Sequence, residues 1–140
     1  MKVKLDPGAK MPTRAHETDA GLDLYSRETV TIFPGRSEVF DTGVHIELPH
    51  GYYGKIESKS GLNVNQGVVS CGGVIDEGYT GSIVVKLYNL EPSDGNLYTI
   101  HAGDKIAQLV IQAYATPELE LVDALDETER GSNGFGSTGI

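Results

Sequence analysis

"GSIVVKLYN", residues 81–89, alternates between apolar side chains and side chains that suit a protein surface. Ile83, Val85 and Leu87 share one face of this stretch, and the residues between them share the other. A period of two residues is that of a β-strand with one buried face. The stretch therefore predicts a strand that packs this apolar face into a core.

Similar short runs recur along the chain, and helical periodicity is almost absent. Turn sequences such as FPGR, LPHGY and HAGD separate the runs. Glycine occurs 18 times, nearly double the usual share of about 7%, which suits tight hairpins. Many short strands without helical crossovers predict an all-β, jelly-roll-like β-barrel. The other runs are TVTIF (29–33), SEVFDTGVHIEL (37–48), YYGKIES (52–58), GVVS (67–70) and KIAQLVIQAY (105–114).

The length of 140 residues predicts one domain. We expect this β-barrel domain to span residues 1–125 and a flexible, glycine-rich C-terminal arm to span residues 126–140. The arm ends in RGSNGFGSTGI (130–140), which has the composition of a loop that closes around a ligand. Arg130 is the single basic residue between positions 106 and 140.

Charge and composition argue against several classes of partner. The net charge of −9 disfavours duplex nucleic acid and anionic membranes as main partners. No apolar run is long enough to span a bilayer, and no signal peptide is recognisable. Cys71 is the only cysteine, which fits a reducing compartment, so we expect a cytoplasmic protein. The four histidines lack zinc-type spacing.

Five segments carry chemistry suited to a phosphate-rich ligand. Each has an ordinary structural interpretation as a turn or a half-buried strand, but together they combine glycine amides, hydroxyls, cations and carboxylates. A carboxylate can also activate an attacking water. The segments are AGLDLYS (20–26), ESKSGLN (57–63), GGVIDEGYTG (72–81), GDKIAQLVIQ (103–112) and the arm.

In this order the five segments resemble the motifs of the trimeric dUTPase family (deoxyuridine 5′-triphosphate nucleotidohydrolases), from about residue 20 to the C-terminus. The resemblance implies a homotrimer with active sites shared between subunits. It implies hydrolysis of dUTP to dUMP and pyrophosphate with Mg²⁺ as cofactor. That reaction limits uracil incorporation into DNA and supplies dUMP for thymidylate synthesis.

The resemblance also implies roles for individual residues. Asp76 would be the catalytic base for water attack at the α-phosphorus, and Asp23 would hold Mg²⁺ through water, the ion being bound mainly by the triphosphate. The phosphate-binding residues would be Lys59, Ser60, Gly61, Gln108, Arg130, Gly136, Ser137 and Thr138. The nucleoside-binding residues would be Ser70, Gly73, Val74, Tyr79 and Phe135, with Tyr79 against the deoxyribose and Phe135 stacked on uracil.

Two positions depart from the family pattern. Lys59 stands where the family commonly has arginine in Pro-Arg-Ser-Gly, and Asn133 stands where glycine is usual. Lysine keeps the charge but lacks the bidentate fork of a guanidinium. We therefore expect weaker phosphate orientation through Lys59, with Arg130 carrying more of it.

Two alternatives remain open on the sequence. The related dCTP deaminase would need a glutamate-centred site, whereas this chain offers Asp76 in GVIDEGYTG. A dUTP-gated binding or regulatory protein would bind the nucleotide and present a changed surface to a protein partner.

Overall fold

The computed structural model describes residues 1–133, and this range contains eleven β-strands and one short α-helix. The prediction of an all-β fold is confirmed. In chain order the elements are β1 Lys2–Leu5, β2 Gly21–Tyr25, β3 Val30–Ile32, β4 Ser37–Asp41, β5 Val44–Glu47, β6 Tyr52–Ser58, α1 Ser60–Gln66, β7 Val68–Ser70, β8 Val74–Ile75, β9 Val84–Asn89, β10 Tyr98–Ile100 and β11 Lys105–Ala113.

The strands of residues 1–133 pair antiparallel in four small sheets. The largest sheet has the order β2-β11-β6-β8, and the next has the order β4-β9-β7. β1 pairs with β5, and β3 pairs with β10. The jelly-roll-like architecture is thus assembled from separate antiparallel sheets around a shared apolar core.

β9 and the residue before it bury one face in that core, as their alternation predicts. Ile83, Val85 and Leu87 are completely buried, whereas Val84 is 46% exposed. Burial of each aliphatic side chain contributes about 1.5–3 kcal/mol relative to exposure. The other buried members of the cluster are Leu22, Leu24, Ile32, Phe40, Val44, Ile46, Leu48, Ile56, Val68, Ile75, Ile100, Ile106, Ala107 and Leu109.

The run at residues 37–48 forms two strands because the chain bends at Thr42 and Gly43. Gly43 has a φ of 65°, in the left-handed region that favours glycine. Thr42 is buried, and its hydroxyl donates to the Ile83 carbonyl at 2.7 Å. The same hydroxyl oxygen accepts the Val44 N–H at 3.2 Å. The bend therefore leaves this buried hydroxyl fully bonded.

Helix α1 is an element that the sequence analysis did not predict. It buries none of its seven residues, so it carries no apolar stripe that a sequence pattern could reveal. Gly67, interpreted from the sequence as the start of a strand, instead ends the helix with a φ of 61° and donates its N–H to the Asn63 carbonyl at 3.1 Å. Within the described range, no helix is long and apolar enough to cross a membrane.

β11 is the longest strand and positions the residues of the largest sheet. It pairs with β2 on one side and with β6 on the other. In this register Gln108 lies opposite Asp23 of β2 and opposite Glu57 of β6. Directly opposite residues on neighbouring strands share a face of the sheet, so three polar side chains form one row.

Val84 and Val85 provide a matched test of the core, because they are identical in chemistry and lie on opposite faces of β9. We expect Val85→Ala to lower the free energy of unfolding by about 2 kcal/mol, through the lost methyl groups and the remaining cavity. Val84→Ala should change it by less than about 0.5 kcal/mol. Urea denaturation at one protein concentration measures both values, and equal losses would contradict the assignment of faces.

Candidate active site

The row of Asp23, Gln108 and Glu57 crosses the outer face of the largest sheet. Both neighbours of Asp23 in β2 are buried in the core, so Asp23 points away from the core. Gln108 is half-buried, and its Nε2 donates to the Ser58 carbonyl at 3.2 Å. The sequence left open whether Gln108 faces solvent or a ligand. In the described residues its amide holds the backbone that precedes Lys59.

Gly21 makes room for this glutamine. A Cβ at Gly21 would clash with the side-chain oxygen of Gln108 and would lie 3.0 Å from the Gln108 Cβ. A side chain at this position would have to shift the end of the Gln108 side chain, which carries the bond to Ser58. The glycine of AGLDLYS thus leaves room for Gln108 of the neighbouring strand.

Asp23 is held by two lysines. It is 4% exposed, and Lys59 Nζ lies 2.6 Å from Oδ1 while Lys105 Nζ lies 2.7 Å from Oδ2. Burial raises the pKa of Asp23, but the bonds from Lys105 and Lys59 outweigh this and hold the pKa below its usual value. The pKa of Lys105 is raised in turn by the same carboxylate. Two cations facing one anion leave a local positive charge, which suits a phosphate ligand.

Sequence reasoning missed Lys105, although GDKIAQLVIQ contains it. In a regular strand Lys105 would share the face of Ala107, which is buried in the core. The register with β2 shifts between these two residues, and Ile106 is buried as well. A bulge of this kind redirects a side chain to the other face, here the face of Asp23. A Gly-Asp turn directly before a strand was the available signal for such an irregularity.

The second predicted motif lies where β6 passes into α1. Lys59 precedes the helix with an extended backbone, and Ser60 and Gly61 are exposed in its first turn. Ser70 is joined to this region through Ser58: its N–H donates to Ser58 Oγ at 2.9 Å, and the two hydroxyls lie 3.1 Å apart. The predicted phosphate and nucleoside groups therefore meet at Ser58.

The third motif surrounds a cavity of about 270 Å³, close to the size of small-molecule sites. Gly72 and Gly73 have φ values of 72° and 148°, which favour glycine. Because glycine has no side chain, a ligand could approach the backbone closely at these two positions. The Tyr79 hydroxyl donates to the Ser82 carbonyl at 2.9 Å, which fixes the ring as one wall. The cavity is lined by Gly73, Val74, Ile75, Asp76, Tyr79, Ser82 and Val84.

Asp76 is exposed at the start of a turn, in which its carbonyl accepts the Tyr79 N–H at 3.0 Å. Its neighbour Glu77, which the sequence analysis did not single out, accepts bonds from His50, Gly51 and Tyr114. Neither partner segment is near Glu77 in sequence, so no local motif could have revealed this contact.

The C-terminal segment leaves the sheet at Tyr114, and residues 114–133 are exposed. Arg130 is exposed, and its Nε donates to the Asn133 carbonyl at 3.1 Å within a local turn. The predicted contacts of Phe135, Gly136, Ser137 and Thr138 lie outside the described residues.

The described residues do not assemble a resident metal site. No group of three histidine, cysteine, aspartate or glutamate side chains in residues 1–133 is arranged to hold a metal ion. Both carboxylate oxygens of Asp23 are bonded to ammonium groups. Asp23 is therefore unsuited to ligate a metal directly in this arrangement.

Lys105→Met removes one of the two cations that hold Asp23, and we expect the pKa of Asp23 to rise. In the wild type this group contributes to stability above its ordinary value of 3.8, and the contribution is lost as the pH falls toward the lowered pKa. The variant should therefore lose less stability over this acidic range. Carboxyl ¹³C NMR titration measures the pKa, and acid denaturation measures the stability.

Lys55→Met is the matched control, because its ammonium pairs with Glu57 and leaves Asp23 untouched. Identical Asp23 titrations in Lys105→Met and the wild type would show that the ion pair does not control this carboxyl.

Comparisons with known proteins agree with the motifs. The sequence model of the dUTPase family matches residues 8–139. A deoxyuridine 5′-triphosphate nucleotidohydrolase of Corynebacterium efficiens is 49% identical over 139 residues, which cover 98% of this chain and 76% of the relative.

Solved structures agree over the same range. One is the dUTPase of Staphylococcus bacteriophage 80alpha with dUPNHPP, which is described in connection with the control of virulence-gene transfer by phage dUTPases. It superposes with a TM-score of 0.93 and 36% sequence identity, and the match covers 99% of this chain and 98% of the phage chain. A mutant dUTPase of phage phi11 of S. aureus, described with a structural Mg(II) ion, gives a TM-score of 0.82 and 35% identity, covering 88% of this chain and 96% of that chain. The chain belongs to the dUTPase family.

Proposed function

We propose that the protein is a dUTP diphosphatase, which hydrolyses dUTP to dUMP and pyrophosphate. The observation that carries the proposal is Asp76, an exposed carboxylate on a turn that lines the cavity of the third motif, in a chain of the dUTPase family. The reaction would limit uracil incorporation into DNA and supply dUMP for thymidylate synthesis. A single exposed cysteine agrees with the reducing cytoplasm as its compartment.

Asp76 acts as the general base in this proposal. Its carboxylate takes a proton from water, the water oxygen attacks the α-phosphorus, and the bond from the α-phosphorus to the bridging oxygen breaks. Pyrophosphate leaves with the electron pair of that bond. Such proton transfer contributes about 10²–10⁴ in rate.

The cavity selects the nucleoside. The Tyr79 ring, fixed by its bond to Ser82, packs against the deoxyribose and disfavours a ribose 2′-hydroxyl. Backbone groups of residues 70–76, including Gly73 and Val74, pair with uracil, and cytosine would leave buried groups unpaired. Ser70 is proposed to contribute a nucleoside contact from a position that Ser58 Oγ fixes through both the N–H and the hydroxyl of Ser70.

Phosphate binding falls to the cationic region around Asp23. The side chains of Lys59 and Lys105 are 26% and 43% exposed, so both ammonium groups can turn from the carboxylate toward phosphate oxygens. The exposed Ser60 and Gly61 add a hydroxyl and an amide, and Gln108 holds the intervening backbone. Arg130, Gly136, Ser137 and Thr138 of the arm complete the phosphate contacts.

Magnesium enters with the substrate. Because the described residues do not form a resident metal site, we propose that Mg²⁺ is bound mainly by the triphosphate. Asp23 would contact the ion through water. The ion would supply positive charge that neutralises the phosphate oxygens.

The active enzyme is proposed to be a homotrimer with shared active sites. In the exposed segment after Tyr114, Leu119 is 96% exposed, Leu121 is fully exposed and Leu125 is 86% exposed. Exposed leucines in one continuous segment suit coverage by another subunit. We propose that residues 1–125 form the barrel domain and that residues 126–140 close over the nucleotide, with Phe135 stacked on uracil.

Neither alternative function is favoured. A dCTP deaminase would need an available glutamate, and Glu77 in the turn with Asp76 is already bonded to three donors. Phage dUTPases are described as controlling the transfer of virulence genes. A nucleotide-gated regulatory role of this chain would be additional to hydrolysis, because the turn with Asp76 is intact.

The proposal is tested by pyrophosphate release with Mg²⁺ from dUTP, dTTP, dCTP and UTP. We expect release from dUTP alone, and a fall in kcat of about 10²–10⁴ in Asp76→Asn, because the amide cannot take the proton. Asp94→Asn, an exposed aspartate in the loop after β9, is the matched control and should keep full activity. Tight dUTP binding without turnover in the wild type would instead favour the regulatory alternative.

Lys59→Arg tests the departure in the second motif. A guanidinium offers a bidentate fork to phosphate, so we expect kcat/KM for dUTP to rise about fivefold, which corresponds to about 1 kcal/mol for one improved charged hydrogen bond. Steady-state kinetics measure the change. An unchanged kcat/KM would contradict a loss of phosphate orientation through Lys59.

A further inference from the structure

Glu77 occupies the first central position of the turn that carries Asp76. The bond from the Tyr79 N–H to the Asp76 carbonyl closes a four-residue turn, with Glu77 and Gly78 between them. Gly78 has no side chain with which to anchor the turn. The orientation of the turn therefore depends on the contacts of Glu77 and on the bond from the Tyr79 hydroxyl to the Ser82 carbonyl.

Three groups from two distant parts of the chain meet the Glu77 carboxylate. His50 Nδ1 lies 2.8 Å from Oε1, and the Gly51 N–H and the Tyr114 hydroxyl each donate to Oε2 at 2.8 Å. An ionised carboxylate can only accept, so His50 carries its hydrogen on Nδ1. The bond from His50, followed by those from Gly51 and Tyr114, lowers the pKa of Glu77 to about 2.

The partners of Glu77 belong to a firmly built junction between the start of β6 and the end of β11. The Tyr114 N–H donates to the Gly51 carbonyl at 3.1 Å. The Tyr114 ring packs edge to face on Tyr53, with centroids 6.3 Å apart. The bond to Glu77, together with burial, raises the pKa of Tyr114, and the charge of Asp76 adds to the rise. Asp76 directly precedes Glu77 in the chain, so it lies beside this junction.

We infer that Glu77 is a positioning residue, which fixes the direction of the Asp76 carboxylate by tying their shared turn to the junction of β6 and β11. The inference rests on the proposed role of Asp76 as the base. A misplacement of about 1 Å in a reacting group can cost about a hundredfold in rate. Tyr79 closes the same turn and is a wall of the nucleoside cavity, but its own bond to the Ser82 carbonyl holds it independently of Glu77, so the loss falls on chemistry rather than on binding.

Glu77→Ala removes all three bonds at once. The expected result is a fall in kcat for dUTP of about tenfold to a hundredfold. KM and the affinity for the analogue dUPNHPP should stay within about twofold, because the missing interaction orients the base and does not touch the nucleotide. Steady-state kinetics and calorimetric titration with dUPNHPP give the two readouts.

Glu77→Gln is the conservative variant that should restore activity. Its amide oxygen can accept from Gly51 and Tyr114, and its amide group can donate to Nδ1 of the other His50 tautomer. All three contacts are thus retained without the charge, and kcat should lie within about threefold of the wild type.

Tyr114→Phe gives an independent test, since it deletes one donor and keeps the ring against Tyr53. It should lower kcat in the same direction by less than Glu77→Ala. The double variant should be no slower than Glu77→Ala alone, because the shared bond is already lost. Glu47→Gln, on an exposed glutamate paired with Lys2, is the control and should keep wild-type kcat. Thermal unfolding midpoints identify any variant that fails to fold.

The inference is overturned if kcat of Glu77→Ala stays within twofold of the wild type, if Ala and Gln variants lose kcat equally, or if KM rises while kcat is unchanged. If Asp76→Asn is inactive, these outcomes overturn the role of Glu77 and leave the proposed role of Asp76 standing. Full activity of Asp76→Asn would instead remove the proposed base, which is a separate failure.

Discussion

The simultaneous pairing of β11 with β2 and β6 is the constraint on which the rest of the structure depends. A slip of one residue along β11 would turn Leu109 toward solvent and Gln108 into the core. The burial of Leu109 therefore fixes the position of Gln108 opposite Asp23 and Glu57. The same register sets both the burial of the core and the geometry of the site, so no further interaction is needed to align Asp23, Gln108 and Glu57.

The ion pairs of Asp23 are better explained by function than by stability. Moving charges out of water costs several kcal/mol per ion in proteins, and their mutual attraction often does no more than balance that cost. A chain with a net charge of −9 nevertheless directs Lys59 and Lys105 to one buried carboxylate. In the proposed function, the carboxylate would hold the two cations in place before the triphosphate binds, which would reduce the ordering that binding otherwise requires.

The parts of the fold that the sequence predicted are those with a local period. β6 begins and ends at the predicted residues 52 and 58, and the buried face of β9 is the predicted one. What the sequence did not predict depends on irregular or distant structure. Lys105 was missed because a bulge reverses its face, α1 because it buries no residue, and Glu77 because its partners His50 and Tyr114 come from other parts of the chain. Asp23, Asp76 and Tyr79 were found through motif resemblance, and their proposed roles go beyond what any period in the sequence could indicate.

The close approach of Gly21 to Gln108 has a consequence for how such sequences can diverge. Because a Cβ at position 21 would occupy the space of the Gln108 amide, the two positions are not free to vary independently. A lineage that replaced the glycine would have to shift the Gln108 side chain or shorten it, and either change would disturb the bond that holds the Ser58 backbone. Substitutions at positions 21 and 108 are therefore expected to be coupled, although the two positions lie 87 residues apart in the sequence.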